Sequence, residues 1–507
     1  MELKDLFYKW VPVWVKLPVL FLFFFTILTA NGVYLGNSTD MYSGLGVYSE
    51  PFTAAYNAVY IGMALGLLVE VRLKRRFSSK QLLLWGFTVM LLVNIINMNT
   101  TSPVVFVTTC FVLGFTKMCA LIEIYIMWLV VWSKKLDTSR LYPFVYLTAL
   151  GGSYFITWWT TQLAYTFNWQ YAYICMIMMV LLCLLLGLIF VQHNKLRRPL
   201  PLYQLDILGL LLLATAMMLL NYVVVYGKVE NWWESENIQV ATVLIPVLFF
   251  AFLVRELRVK RPVLPFVIFT HKNFQKGLLF FFLLGIFLPS SIQGTFTAGV
   301  LDFESIRNGQ LNLYLIPGVA AGAVLSWFWY YWKQNTEILL FIGFSAFVAY
   351  YILLYTKLAT GLGMEDFWVM SLLKGFGTVV LYIVIGLYTT GGYALTMIMH
   401  AGGMMILIRS FIGSGIISGI YAYLLYAGRV RHLDILAGNV ATDVGNAPRV
   451  PWYYRDMQGQ ATLAASKEMC GIIIILGVII LASILFSHYY RLATHRHRIL
   501  DYSTKAS

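Results

Sequence analysis

Residues 171–192 read YAYICMIMMVLLCLLLGLIFVQ, a run without a single charge. A helix crosses the hydrocarbon core with about 20 mostly apolar residues, so this run is long enough to span. Only helices and closed barrels satisfy their backbone groups in lipid, and the run lacks the apolar–polar alternation of a barrel strand. Outward from it, similar runs recur near 17–34, 52–71, 81–98, 103–132, 141–165, 205–226 and 238–257. The second group lies near 277–298, 309–331, 337–356, 367–390, 396–426 and 468–488. The expectation is an all-α integral membrane protein of about fourteen transmembrane helices.

Composition points the same way. Of 507 residues, 60% are hydrophobic and 11% charged, with a mean hydropathy of +0.76, whereas a soluble domain is roughly a quarter charged. Cys110, Cys119, Cys175, Cys183 and Cys470 all lie inside apolar runs and read as small core residues, without disulfide or zinc spacing. Met1 to Lys16 carries charges and aromatics, and no small-residue cleavage site follows, so 17–34 is expected to be a true span.

The net charge of +14 would suggest nucleic acid in a soluble protein. Here it sorts by loop. Arg72, Lys74, Arg75, Arg76 and Lys80 share one set of connections with Lys134, Lys135, Arg140, Lys195, Arg197 and Arg198. Arg255, Arg258, Lys260, Arg261, Lys272, Lys276 and the tail residues Arg491, Arg496 and Arg498 continue it. The alternate connections hold Asp40, Glu50, Glu230, Glu234, Glu236, Asp302, Glu304, Glu365 and Asp366. Lys and Arg in short loops mark the cytoplasmic side, so both termini are expected in the cytoplasm, and topology accounts for the charge without nucleic acid. The stretch 428–465 is expected to be a long outer loop, of a length that is uncommon within a compact chain.

Several fragments follow one another in order. Gln204-Leu205-Asp206-Ile207-Leu208-Gly209 comes after the sixth run, then Tyr226-Gly227, Asn231-Trp232-Trp233 and Pro262-Val263-Leu264-Pro265 with Asn273-Phe274. Leu315-Ile316-Pro317-Gly318, Lys374-Gly375-Phe376-Gly377 and Ile408-Arg409 with Gly413 complete the series, and Asn168-Trp169-Gln170-Tyr171 stands before the sixth run. Their order and spacing resemble the fourteen-spanner drug:proton antiporters of the major facilitator superfamily, the EmrB/QacA type. That resemblance implies the major facilitator fold, with a six-helix bundle over 1–200, an inserted helix pair over 201–260 and a second six-helix bundle over 261–507. It implies export of hydrophobic or amphiphilic small molecules across the inner (plasma) membrane by alternating access, against protons. Such pumps often work with a membrane-fusion adaptor and an outer-membrane channel.

The chain also departs from the family pattern. The cytoplasmic gate motif becomes Gly66-Leu67-Leu68-Val69-Glu70 with Lys74, Arg75 and Arg76, placing Glu where the family has Asp. The Gly-Pro-x-x-Gly-Gly signature is replaced by Ile156-Thr157-Trp158-Trp159-Thr160-Thr161, and the first-span Asp by Asn31, which carries no proton. The fourth-span Arg is replaced, with Lys117 about two turns further along. A uniporter, an importer or an exporter of a lipid-like product therefore stands as the alternative.

Ionisable groups inside spans face a cavity or a partner. Lys117 and Glu123 lie mid-span in the fourth run, and their spacing turns them roughly 120° and about 9 Å apart, so each should find its own partner. Glu123, with Lys117, is the candidate for proton coupling, the alternative being a fixed ion pair. Asn31, Gln162, Lys374, Arg409 and Trp158 are the candidate cavity or substrate residues, against helix packing or lipid anchoring as the ordinary reading. Gly66, Glu70, Arg75 and Arg76 are the candidate cytoplasmic gate. Asn37, Asn94, Asn97, Asn221 and Gln293 are further polar positions, and His400 is most simply a solvated residue at a span end. Gly62/Gly66, Gly318/Gly322 and Gly415/Gly419 form Gly-x-x-x-Gly pairs that permit close helix approach. Seven histidines form no ligand pair within a span, and no nucleophile motif or phosphate loop is present, so no metal, no cofactor and no enzymatic activity are expected.

Overall fold

The computed structural model describes residues 6–36, 38–46, 48–132, 138–193, 205–393, 395–443 and 451–505. Asn37, Lys134, Lys135, Lys195, Arg197, Arg198 and Gln204 lie outside the described residues. The first helices are α1 (Val13–Thr29), α2 (Ser38–Leu45), α3 (Glu50–Leu73), α4 (Ser79–Asn99), α5 (Pro103–Trp132), α6 (Thr138–Thr166) and α7 (Gln170–Phe190). Then come α8 (Ile207–Tyr226), α9 (Glu236–Arg258), α10 (Lys272–Gly285), α11 (Ser291–Gly299), α12 (Ser305–Tyr331), α13 (Thr336–Lys357) and α14 (Phe367–Thr390). The last are α15 (Leu395–Ile406), a π-helical stretch (Leu407–Ile416), α16 (Ile417–Asp443) and α17 (Pro451–Lys505). Among the described residues, eleven helical segments are long and apolar enough to cross a membrane, and α1 is a shorter apolar helix.

Local chemistry sets where several helices start. Ser78 accepts from the Gln81 N–H at 3.3 Å while the Gln81 side chain accepts from the Ser78 N–H at 3.0 Å, a reciprocal cap on α4. Asp206 accepts from the Gly209 N–H at 3.1 Å to start α8, and it pairs with Arg255 of α9 at 2.7 Å. One carboxylate thus caps the first helix of this pair and ties it to the second. The pair leans on α3, where Asn57 donates to Asn221 at 3.0 Å and Asn221 donates to the Ala54 carbonyl at 2.9 Å.

Buried apolar side chains form two clusters. One joins α1, α3, α4, α5 and α7 with parts of α8 and α15, and the other joins α10–α14 with α16 and α17. Each is organised around one intimate crossing. A Cβ on Gly114 of α5 would run into the Val59 carbonyl of α3, and one on Gly62 into the Phe111 carbonyl. In the second half, a Cβ on Gly375 of α14 would run into the Leu315 carbonyl of α12, and one on Gly318 into the Leu372 carbonyl. Only glycine allows backbones this close. Of the apolar stretch of α3, 78% is buried, against 17% for α9, so α3 is central and α9 peripheral.

The halves meet along two seams, α6 against α12 and α3 against α15 and the π stretch. Arg140 lies 5.6 Å from the Tyr331 ring at the end bearing the basic loops, and Gly309 abuts Thr161 toward the other end. Near the basic end Gly402 and Gly403 abut Leu67 and Leu68, and further along Gly415 abuts Asn57. Each seam thus makes close contacts at two levels.

Three expectations are corrected. The first helix stops at Thr29, so Asn31 lies beyond it rather than inside a span to 34. The run 277–298 is two helices, interrupted at 286–290 where Pro289 supplies no N–H. The expected loop 428–465 is mostly helix, because α16 continues to Asp443 and α17 begins at Pro451. The stretch 428–443 contains no proline, and its polarity marks helix leaving the apolar layer. Arg431 and His432 both pair with Glu468 across the two extensions.

Candidate functional site

The π stretch carries Arg409 into the contact between the halves. A π segment widens the helical turn and recurs at functional sites, and here close approaches hold it: Gly413 against Gly285 of α10, and Gly415 against Asn57 of α3. The Arg409 guanidinium lies 4.5 Å from the Tyr382 ring centre, 5.6 Å from Tyr146 and 5.9 Å from Phe281. It donates to the Tyr146 hydroxyl at 2.8 Å and, more distantly, to the Ser410 hydroxyl at 3.4 Å. Tyr146 comes from α6 and Tyr382 from α14, so the cation sits where the halves join. The Tyr56 and Tyr60 hydroxyls, on α3, are 2.8 Å apart. Tyr60 lies within electrostatic reach of Arg409, and Tyr56 of Tyr382 and Tyr154. All of these tyrosines and Arg409 are only half-buried, although they lie deep between helices.

Two lysines stand at the interruptions of α1 and α10. Lys117, 2% exposed, donates to the Leu28 carbonyl at 2.9 Å, the Ala30 carbonyl at 3.0 Å and the Asn31 side-chain oxygen at 2.5 Å. These are carbonyls that a helix end leaves without an internal donor, and a cation is favoured at that end of the helix dipole. Gly32, at φ +73°, turns the chain, and its carbonyl accepts from Asn97 and Tyr173, each at 3.0 Å. Lys374 donates to the Ser290 hydroxyl at 2.8 Å and lies 5.2 Å from the Tyr350 ring centre. There the freed carbonyls go to other phenols: Tyr421 donates to Ile286 at 2.8 Å and Tyr351 to Phe287 at 3.2 Å.

A third cluster lies toward the basic end. The Lys74 ammonium is 2.9 Å from both carboxylate oxygens of Glu123. Glu70 is fully buried beside them, with Glu123, Lys74 and Cys119 as electrostatic neighbours. The Cys119 thiol is its hydrogen-bonding neighbour, and neither carboxyl oxygen meets an N–H or O–H donor among the described residues. Gly66 packs on the Phe115 carbonyl, whereas Arg75 and Arg76 are exposed and stand apart from Glu70.

The sequence-derived candidates therefore separate. Arg409 is in the central cage, and Lys117 with Asn31 closes the end of α1. Lys374 stands at the α10 interruption, and Glu70 and Glu123 share the basic-end cluster. Trp158 packs at a tilt against Phe155 and Trp159, both about 40% exposed, which places it in an outward-facing group, and Gln162 is half-buried near the end of α6 away from the cage. The tyrosines of the cage went unrecognised in the sequence. Their signal was Tyr56/Tyr60 and Tyr142/Tyr146, each four residues apart on one helix face.

No family model and no curated protein matches the chain. Solved structures do. A structure described as showing substrate recognition in proton dependent oligopeptide transporters aligns with a TM-score of 0.59 at 14% identity, over 92% of this chain and 96% of that one. A mutant of the nucleoside transporter NupG aligns at 0.56 and 12% identity, over 93% and 99%. The human organic anion transporter MFSD10 aligns at 0.52 and 12% identity, over 92% and 100%. At such identities the likeness is one of fold, and the chain has the all-α major facilitator fold of an integral membrane protein.

Proposed function

We propose that this chain is a secondary active transporter that exports hydrophobic or amphiphilic small molecules across the inner membrane by alternating access, coupled to proton influx. Its motif order resembles that of the drug:proton antiporters of the EmrB/QacA type. The observation that carries the reading is the half-buried tyrosine cage around Arg409, a polar cluster deep in the contact between two bundles. Rocking along the α6–α12 and α3–α15 seams would open that space to one side and then the other. Basic loops at the Lys74 end support a cytoplasmic position for that end.

The basic-end cluster supports proton coupling and moves its centre. Lys117 directs its donors to the end of α1, so the carboxyls of Glu123 and Glu70 are the proton-carrier candidates of this cluster. Two carboxyls beside one ammonium balance their charge when one of them carries a proton, and an unpartnered buried carboxylate is costly. Glu70 is the holder of that proton in the closed form, and Glu123 hands Lys74 over as the seam opens.

The test is movement of a fluorescent amphiphile in proteoliposomes under an imposed pH gradient, comparing native protein with Glu123→Gln and Glu70→Gln. Gradient-driven uptake into inside-out vesicles that both substitutions abolish is the expected result. Gradient-driven transport that survives both puts the proton site elsewhere. The ion pair already holding Glu123 favours a second reading, uniport or export of a lipid-like product without proton antiport, and movement indifferent to pH would select it.

A further inference from the structure

We infer that Arg409 is an anion-recognition point, and that the compounds this protein binds carry one negative group, a carboxylate, sulfonate or phosphate ester, on an apolar or aromatic body. The inference rests on the transport reading only for the movement of the ligand once it is bound.

Charge in the interior is lopsided. Lys117, Lys374 and Arg409 all lie within helices of the two bundles, and among the described residues none of them pairs with a carboxylate. A cation taken out of water without a counter-charge is costly. Lys117 offsets that cost with three strong acceptors, as many as an ammonium can serve. Arg409 does not. Its hydrogen bonds go to one phenol and, at 3.4 Å, to one hydroxyl, leaving much of the planar donor fork without an acceptor. That fork matches a carboxylate or phosphate edge by two parallel hydrogen bonds.

The surroundings suit the rest of such a ligand. Tyr382, Tyr146 and Phe281 hold the guanidinium plane with their rings, and of the three only Tyr146 also takes part of its edge. Tyr56 and Tyr60 add hydroxyls that can donate to an anion, and the aromatic faces take an apolar body. An aromatic cage by itself would favour cationic ligands, but here the cage already holds the protein's own cation. A second positive charge would meet like-charge repulsion in a poorly solvated site, and that repulsion selects against cationic ligands. The alternative role, a tether between halves, fits poorly with partners that are neutral phenols and are only half-buried.

The test uses purified full-length protein in nanodiscs and two fluorescent probes of nearly equal shape, pyrenebutyrate and its methyl ester, each corrected for partition into empty discs. The native protein is expected to bind the carboxylate about tenfold or more tighter than the ester, the worth of a charge-assisted hydrogen bond. Arg409→Gln should erase the preference, and Arg409→Lys should retain part of it. Equal affinity for the two probes on native protein overturns the inference, as does a preference that Arg409→Gln leaves intact. The native comparison needs no variant, so misfolding of Arg409→Gln does not shelter the proposal. Protein that prefers the carboxylate yet moves neither probe in proteoliposomes would sink the transport reading and keep the anion site.

Discussion

The two halves meet the same difficulty with different groups. In each, the first helix stops inside the bundle, α1 at Thr29 and α10 at Gly285, and freed carbonyls must find donors away from water. The first half uses a lysine on its fourth long helix as the cap, and Lys117 reaches two carbonyls and an amide oxygen. The second half also has a lysine on α14, but Tyr421 and Tyr351 do the capping. Lys374 is left with the hydroxyl of an exposed serine and the face of Tyr350. A shared architecture therefore leaves one cation fully engaged and the other with unused donors. The difference lies in what each cation meets, three oxygen acceptors for Lys117 and one hydroxyl with a ring face for Lys374.

Both halves share the close helix crossing, and breaking it should cost most. A side chain on Gly114 or Gly375 would collide with backbone of the facing helix, and backbone cannot rotate away as a side chain can. Gly114→Val and Gly375→Val should each destabilise by about 3 kcal/mol or more, at the upper end for overpacking. The yield of monodisperse protein after detergent extraction is the measurement. Equal loss in both is expected, and good yield of either would show that its crossing is looser than the backbone contacts imply.

The capping difference predicts an asymmetric pair next. Lys117→Met strands the Leu28 and Ala30 carbonyls, at about 3 kcal/mol in all, whereas Lys374→Met removes one hydrogen bond worth about 1 kcal/mol. Thermal unfolding in one detergent should show a clearly larger fall in midpoint for Lys117→Met. Equal falls, or a larger one for Lys374→Met, would undo the distinction between the two cations.

How far the molecule was legible in the sequence depends on the length scale of each signal. Span-long apolar runs are averages over many residues, and eleven segments long and apolar enough to span stand among the described residues. Asp206, read as a motif residue, proves to be a cap and an ion-pair partner of Arg255. The end of α1 was hidden because Asn31 and Gly32 are two polar or small residues in an otherwise apolar run, where an average barely changes. The helical extensions over 428–465 were hidden for the opposite reason, since a solvated helix has the polarity of a loop. The separate partners of Lys117 and Glu123 could be anticipated from their angular offset, but not which segments would supply them. The cage was out of reach because periodicity gives the face of a helix and not the helix opposite. Tyr56, Tyr146 and Tyr382 come from three helices far apart in the chain.

The smallest effects test the stop of each helix. Gly32 has a left-handed φ, and a Cβ there would lie 3.1 Å from the Cys110 sulfur and 3.3 Å from the Asn97 amide nitrogen. Asn97 is also the donor to the Gly32 carbonyl, so a methyl group strains the turn and crowds the group that satisfies it. Gly32→Ala should cost about 1–2 kcal/mol, the penalty for an L-residue in that region. Pro289 interrupts α10 by lacking an N–H, a defect that alanine repairs. The carbonyls before it are already held by Tyr421 and Tyr351, so Pro289→Ala can change little, less than about 1 kcal/mol, and in the stabilising direction if the helix continues. Unfolding midpoints of the two variants should therefore move apart, Gly32→Ala downward and Pro289→Ala flat or slightly upward. A large fall for Pro289→Ala would mean that the interruption in the second half is itself required, as a hinge that Lys374 and Ser290 depend on, and the two halves would then be more alike than their caps suggest.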